Sequence, residues 1–439
     1  MIKRSIVLVL FYFLLSRLIL YSAEIEISTS EPKLLWQKEF KTDINSVAIS
    51  SDGTKIAILL EPELKRTVKD ERYYKGVRRE WGSGKLIYLD KDGNILWEYE
   101  HEKEKGNNML SDISMSEDGK YIACSVIEMR DEGGSYKTFE NAGGIEIPKE
   151  YKTIYQRWEY KEVLYFNSKG ELLWKFKAKG KAKVSERGNY IAIIPAEDEH
   201  VPLDDFYFFG KNGEVLWKKE FKKEFPPEEV PPIDITRDGK KIIIGDTLYN
   251  AKGEIVWKLE KGYFGGISED GKLVTVHIPI EPHLYDLNLD SLKEVKFIRL
   301  SSKKVLYTWR KKSGKSYLTK EDISSFSPPK DLLKNFVLYY YFLNFPQLPE
   351  DGFSDRNISI VDNGRYFIIS RLREYGEYKE LSKWKTKIYF YTTEGDFKWS
   401  LVLSGGSWVR PFVSSPCGKY ILIYLQKKLY FYDNRKYIK

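Results

Sequence analysis

Residues 231–260 read PPIDITRDGKKIIIGDTLYNAKGEIVWKLE, and four short strands lie in them with almost no connecting loop. Asp238-Gly239 and Lys252-Gly253 interrupt apolar runs rich in β-branched residues. Glycine accepts the positive φ that a tight hairpin turn needs, so each dipeptide predicts a hairpin. Two consecutive hairpins make one four-stranded antiparallel sheet. Both phrases recur along the chain. The first returns as ISSDGTKIAIL, MSEDGKYIACSV, VSERGNYIAII, ISEDGKLVTVH, IVDNGRYFIIS and SSPCGKYILIY. The second, Gly-x-x-x-Trp, occurs at Gly93/Trp97, Gly170/Trp174, Gly213/Trp217, Gly253/Trp257 and Gly395/Trp399, with a glycine-free version ending at Trp309.

Trp217 and Trp257 lie about 40 residues apart, the period of a four-stranded propeller blade. The Asp-Gly phrase, counted with its substitutes, gives seven units. The seventh ends at LYFYDNRKYIK without a tryptophan strand, whereas EPKLLWQKEF, residues 31–40, is an outer strand with nothing before it. Together they complete one hairpin. The expected fold is therefore all-β: a seven-bladed β-propeller over residues 31–439, closed by pairing of its N- and C-terminal strands, which removes open sheet edges. Trp36, Trp97, Trp174, Trp217, Trp257, Trp309 and Trp399 are expected to be structural, filling the wedge between neighbouring blades. Residues 310–356 interrupt the repeat between the fifth and sixth units. There Thr319 with Asp322, and Ser327 before prolines and an apolar run, are helix-start patterns, so a small helical insertion is expected.

The Gly-x-x-x-Trp hairpins resemble the repeats of PQQ-like, quinoprotein-type β-propellers. The Ser-x-Asp-Gly-Lys-x-Ile-Ala strands resemble the WD40-like repeats of bacterial extracytoplasmic propellers. The resemblance spans about residues 31–439 through short blade motifs, and it departs from both parents. Quinoprotein hairpins usually carry one more residue between aspartate and glycine, and the Gly-His and Trp-Asp pairs of standard WD40 blades are absent.

The first residues carry Lys3 and Arg4 before an apolar stretch that Arg17 interrupts, and a small residue stands at Ala23. This pattern reads as a secretory signal over 1–23. Tyr21, where a small residue is preferred, leaves a retained membrane anchor as the alternative. The body is expected outside the cytoplasm, periplasmic or secreted, touching a membrane only through 1–23. Loss of Lys3, Arg4 and Arg17 with that segment lowers the net charge from +8 to +5, too mild to point to nucleic acid. Two cysteines, Cys124 and Cys417, exclude a disulfide-stapled scaffold. At 439 residues and 42% hydrophobic content the chain can bury a large core without staples. Abundant Lys and Glu with few Met, His and Cys resemble the composition of thermophile proteins.

In a blade of this kind the two tight turns point to one face, while the loops between second and third strands point to the other. That second face carries the long insertions, at 61–85, 128–162 and 371–387. Each mixes Arg, Lys and Tyr with a tryptophan, the residue types that dominate interface energetics. Arg78, Arg79, Trp81, Tyr155, Arg157, Trp158, Arg373 and Trp384 are the candidate binding residues. The plainer alternative is that these are solvated hairpin extensions whose aromatics pack on one another.

Catalytic chemistry is thin. SGKS at 313–316 lacks the upstream glycine of a phosphate-binding loop. DKDGN at 90–94 lacks the distal glutamate of a calcium loop. The four histidines His101, His200, His277 and His283 have no Cys or Asp cluster beside them in sequence, so neither a metal nor a cofactor is expected. The expectation is a monomeric, non-catalytic scaffold binding a protein or cell-envelope component. The alternatives are a glycan-binding or glycan-processing propeller, whose acid–base carboxylates sequence cannot select, and a quinoprotein-like enzyme.

Overall fold

A computed structural model describes residues 31–142, 145–196, 205–221, 231–279, 292–310, 354–361, 365–373, 385–392, 397–404 and 412–438. The segment 1–23, the 313–316 motif, the helix-start patterns at Thr319 and Ser327, His200, His283 and Trp384 lie outside them. The described chain is all-β, with only two three-residue turns of 3-10 helix. Among the described residues no helix is long and apolar enough to cross a membrane.

The strands form seven four-stranded antiparallel sheets among the described residues, six of them meanders in chain order. The first comprises Ile44–Ile49, Lys55–Leu60, Lys85–Asp90 and Ile95–Glu100. The second comprises Asn108–Met115, Tyr121–Ala142, Ile145–Asn167 and Leu172–Phe176. The third, fourth, fifth and sixth begin at Gly180–Val184, Ile233–Ile235, Tyr263–Ile267 and Ser354–Val361 respectively. The seventh takes three strands from the C-terminal end, Phe412–Ser414, Tyr420–Leu425 and Lys428–Asp433, and its fourth, Lys33–Glu39, from the other end of the chain. That strand pairs Leu34 with Tyr432, Trp36 with Phe431 and Gln37 with Tyr430.

First strands lie side by side at the seventh–first, first–second, second–third and fourth–fifth junctions, and buried apolar clusters fill the wedges between sheets. Ile56, Ile58 and Leu89 of the first sheet pack with Leu422, Tyr424 and Phe431 of the seventh. Ile368, Phe390 and Trp399 of the sixth pack with Ile421 and Ile423 of the seventh. The chain of contacts runs from the sixth sheet through the seventh and first to the fifth. Consecutive meanders packed in this way are the architecture of a β-propeller.

The repeated phrases have direct physical readings. In the first, Ser50, Ser116, Thr236 and Ser268 donate their hydroxyls to Asp52, Asp118, Asp238 and Asp270 at 2.7–2.8 Å. The same oxygens accept the backbone N–H five residues on, which locks the hairpin. In the second, the residue before each tryptophan is a β-bulge, so the apolar pair preceding it stays on the surface; Ile255 is 60% exposed. The indole then reaches sideways to the next sheet. Trp36, Trp97, Trp174 and Trp217 donate Nε1–H to Lys91, Ser168, Lys211 and Ala251 carbonyls, and each lies over the turn glycine there. At Gly213, with φ +85°, an added Cβ would stand 2.8 Å from Trp174. Trp399 is wholly buried and donates to Asn434 Oδ1 at 2.8 Å. The fifth sheet differs from the others at this register position. Opposite Phe297 stands Tyr307, in the register position that Trp257 holds opposite Leu248, and Trp309 falls two residues further along. Lys303, at φ +50°, replaces the turn glycine and sets its ammonium 5.2 Å from the Trp257 ring.

Candidate functional site

On the face of the second-to-third-strand loops, two insertions meet. In the first sheet, Leu64–Lys69 and Val77–Trp81 form a separate two-stranded hairpin. In the second sheet, the middle strands run on well past their neighbours as a hairpin of 22 and 23 residues. The extension pairs from Tyr121 with Asn167 out to Ala142 with Ile145, with one register shift between Tyr160 and Glu162, so its length follows from strand pairing rather than from a loop.

The two hairpins dock through backbone and side chain. Ile154 N–H donates to the Arg72 carbonyl at 2.7 Å. Gln156 mimics a peptide: its Oε1 accepts from Arg79 N–H at 2.7 Å, and its Nε2 donates to the Arg79 carbonyl at 3.1 Å. Tyr73, buried, donates its hydroxyl to Asp131 at 2.7 Å, and that bond with burial raises the phenol above its ordinary value. Trp81 and Trp158 face each other with ring centroids 6.1 Å apart. The composite ledge therefore brings Arg78, Arg79 and Trp81 together with Tyr155, Arg157 and Trp158. Arg79 is exposed, and Arg157 reaches Glu132 at 2.9 Å. Arg78 sits over the Tyr73 ring, 6.0 Å from its centroid, and its Nε–H and the Trp81 Nε1–H are buried without hydrogen-bond partners. Arg373 closes a strand of the sixth sheet, paired with Lys385, and no described contact joins it to the ledge.

Beneath the ledge, the crossing from first to second sheet holds a cluster that sequence reading passed over. His101 follows the last strand of the first sheet, and Glu162 lies on the third strand of the second; both side chains are under 5% exposed. His101 Nε2 is 3.4 Å from Glu162 Oε1 and 3.9 Å from Glu102 Oε2. Its Nδ1 faces the Tyr99 hydroxyl at 3.1 Å. Burial pushes the imidazole below its ordinary value, against the pull of Glu162 and Glu102, and pushes Tyr99 up to about 12. Lys105 bridges Glu128 at 2.6 Å and Glu102 at 3.5 Å, Lys161 stands 3.5–3.6 Å from the same two carboxylates, and Lys175 is 3.9 Å from Glu162. The signal missed was spatial: 61 residues separate His101 from Glu162, and only the packing of two sheets unites them.

The opposite face carries a second assembly at the inner turns. Ser51 N–H donates to the Glu117 carbonyl, Glu117 to Glu186, Glu186 to Arg237 and Arg237 to Glu269, each at 2.8–3.0 Å. These residues precede the Asp-Gly dipeptide or its substitute in successive sheets, so one position of the repeat converges. Arg237 forms a bidentate pair with Glu117 and stands 3.7 Å from Glu186, and the Glu117 bond raises its already high pKa. Ser51 Oγ donates to Glu117 at 2.9 Å. Cys417 Sγ contacts the Ser51 carbonyl at 3.2 Å; it and the buried Cys124 are free thiols. His277, wholly buried in the fifth sheet, packs on Gly265 and edge-on to Tyr263, and burial lowers its pKa to about 3.

No protein-family model matches the chain, and no curated protein is similar to it in sequence. Among solved structures, the C-terminal WD40 domain of Sif2 aligns with a TM-score of 0.44 and 12% identity, over 92% of this chain and 99% of that one. The Dos1 propeller aligns at 0.45 and 12%, over 92% and 95%. BamB from Moraxella catarrhalis aligns at 0.43 and 8%, over 92% and 100%.

Proposed function

We propose that the protein is a closed seven-bladed propeller, exported by its 1–23 segment or anchored through it, that binds a protein or cell-envelope component without catalysing a reaction. Two features support closure. The N-terminal strand completes the seventh sheet, and the contacts run unbroken from the sixth sheet round to the fifth. The remaining junction, between fifth and sixth sheets, is where residues 310–356 fall in the sequence, most of them outside the described residues.

The observation that carries the binding reading is the ledge. Two insertions from different sheets are tied by Gln156, Ile154 and Tyr73 into one surface. A rigid platform that presents arginine and tryptophan loses little side-chain entropy when it docks. The test replaces 62–82 and 129–160 by short turns and compares recovery of envelope components with the intact protein. Loss of the captured species supports the reading, and equal recovery from both overturns it.

A glycan-processing reading draws on Glu117, Glu186 and Glu269, the carboxylate-bearing positions of the inner-turn assembly. Arg237 already engages Glu117 in a bidentate pair, which leaves that carboxylate poorly placed to act as an acid or base. Glycan-array binding or hydrolysis lost in Glu186→Gln would favour this second reading.

A further inference from the structure

We propose that His101, Glu102 and Glu162 form a binding site for one divalent transition-metal ion of the Zn²⁺ class, stapling the first sheet to the second beneath the ledge. One ligand atom from each residue lies within 4.8 Å of the other two. Around a tetrahedral ion with bonds of about 2.0–2.1 Å, neighbouring ligand atoms stand about 3.4 Å apart. The His101–Glu162 separation of 3.4 Å meets that directly. Glu102 is 3.9 Å from the imidazole and has a partly exposed side chain, so a rotation of its carboxylate closes the set.

The imidazole supplies the independent observation. His101 is 2% exposed, and its Nε2 is buried without a hydrogen-bond partner while aimed between two carboxylates. A buried nitrogen left in this way is rare in folded proteins, because desolvation is not compensated. A cation at the centre resolves it: Nε2 presents its lone pair, and the negative charges gain a common partner. With Nε2 on the ion, Nδ1 carries the proton and donates it to the Tyr99 hydroxyl oxygen 3.1 Å away. Outer partners of this kind orient metal-bound imidazoles.

Three ammonium groups compete for the same carboxylates, and each has somewhere else to go. Lys105 and Lys161 both already reach Glu128, which lies outside the ligand set. Lys175 is 57% exposed and moves into water. Three protein ligands leave a fourth position open, and the site therefore holds an ion that can still accept a ligand from solvent or from a docked molecule.

The test uses the full-length chain after chelation. Titration calorimetry with Zn²⁺ should give one equivalent, and Co²⁺ should give visible d–d absorption of a four-coordinate centre. His101→Gln should weaken binding by about 100-fold or more and abolish the Co²⁺ bands, and Tyr99→Phe by about 10-fold, in the range seen for outer partners. Lys175→Gln should tighten binding by removing a competitor. Folded wild-type protein that binds no stoichiometric ion, or folded His101→Gln that binds as tightly as wild type, overturns the proposal. The wild-type titration decides even where a variant fails to fold.

Discussion

Trp36→Ala tests how the two ends of the chain hold the sheets together. Trp36 belongs to the N-terminal strand, yet its indole leaves the seventh sheet and lies on Gly93 in the outer turn of the first. It packs 5.3 Å from Phe431 and donates to the Lys91 carbonyl at 2.8 Å. A fully buried tryptophan truncated to alanine costs about 3–5 kcal/mol. Trp36 is partly buried, and the carbonyl it abandons can take a water, so we expect a loss of about 2–3 kcal/mol. Its neighbour Leu35 is the bulge residue, 39% exposed, and Leu35→Ala should cost less than about 1 kcal/mol. With the entropy of unfolding scaling with chain length, the Trp36 loss corresponds to a melting shift of roughly 2–4 °C. Calorimetric melting of both variants beside wild type is the assay. Equal shifts for the two would refute the claim that the indole, rather than strand pairing alone, couples the seventh sheet to the first.

Gly213→Ala meets both a φ of +85° and the Trp174 ring at 2.8 Å, whereas Gly76→Ala, at φ +65°, meets nothing within 4 Å. The first should cost about 3 kcal/mol and the second about 1, measured by urea midpoints. Arg237→Ala should lower the melting temperature by removing the tie to Glu117, with a loss of about 1 kcal/mol because the pair is partly exposed, and Arg237→Lys should restore it only in part. Acid should destabilise the fold between pH 6.5 and 5. His277, depressed to about 3, stays neutral when folded while the unfolded chain takes up a proton, so its stabilisation is complete above 6.5 and is lost as pH falls toward 3. The contribution lost by pH 5 is about 2 kcal/mol. Asp52, Asp118, Asp238 and Asp270 do not drive this loss: burial raises their pKa, but hydroxyl, lysine and backbone donors outweigh it and hold them below the ordinary aspartate value. A melting temperature flat from pH 6.5 to 5, or unchanged in slope by His277→Leu, would refute this.

The four-stranded units were legible because their signals are local. A turn glycine, the Ser-x-Asp hydroxyl lock and alternation of apolar residues act within about a dozen residues, so they survive as readable phrases. Even the pairing of Lys33–Glu39 with the last strand could be inferred, since each end of the chain carried half of a hairpin seen complete elsewhere. In the fifth sheet the marker is weaker: without the turn glycine the phrase offers Trp309, whereas backbone register sets Tyr307 opposite Phe297. The bulge before each tryptophan turns the apolar pair outward, a placement that register and not composition decides.

What sequence alone determined, then, is the repeating unit and its edge chemistry, because neighbours in sequence make those contacts. The docking of one hairpin on the next, the convergence of Glu117, Glu186, Arg237 and Glu269, and the meeting of His101 with Glu162 were decided only by the tertiary structure. Each joins residues from different sheets whose separation along the chain is unconstrained by any local rule. Their distances are set by how the wedges pack, and wedge packing is a property of the assembled core.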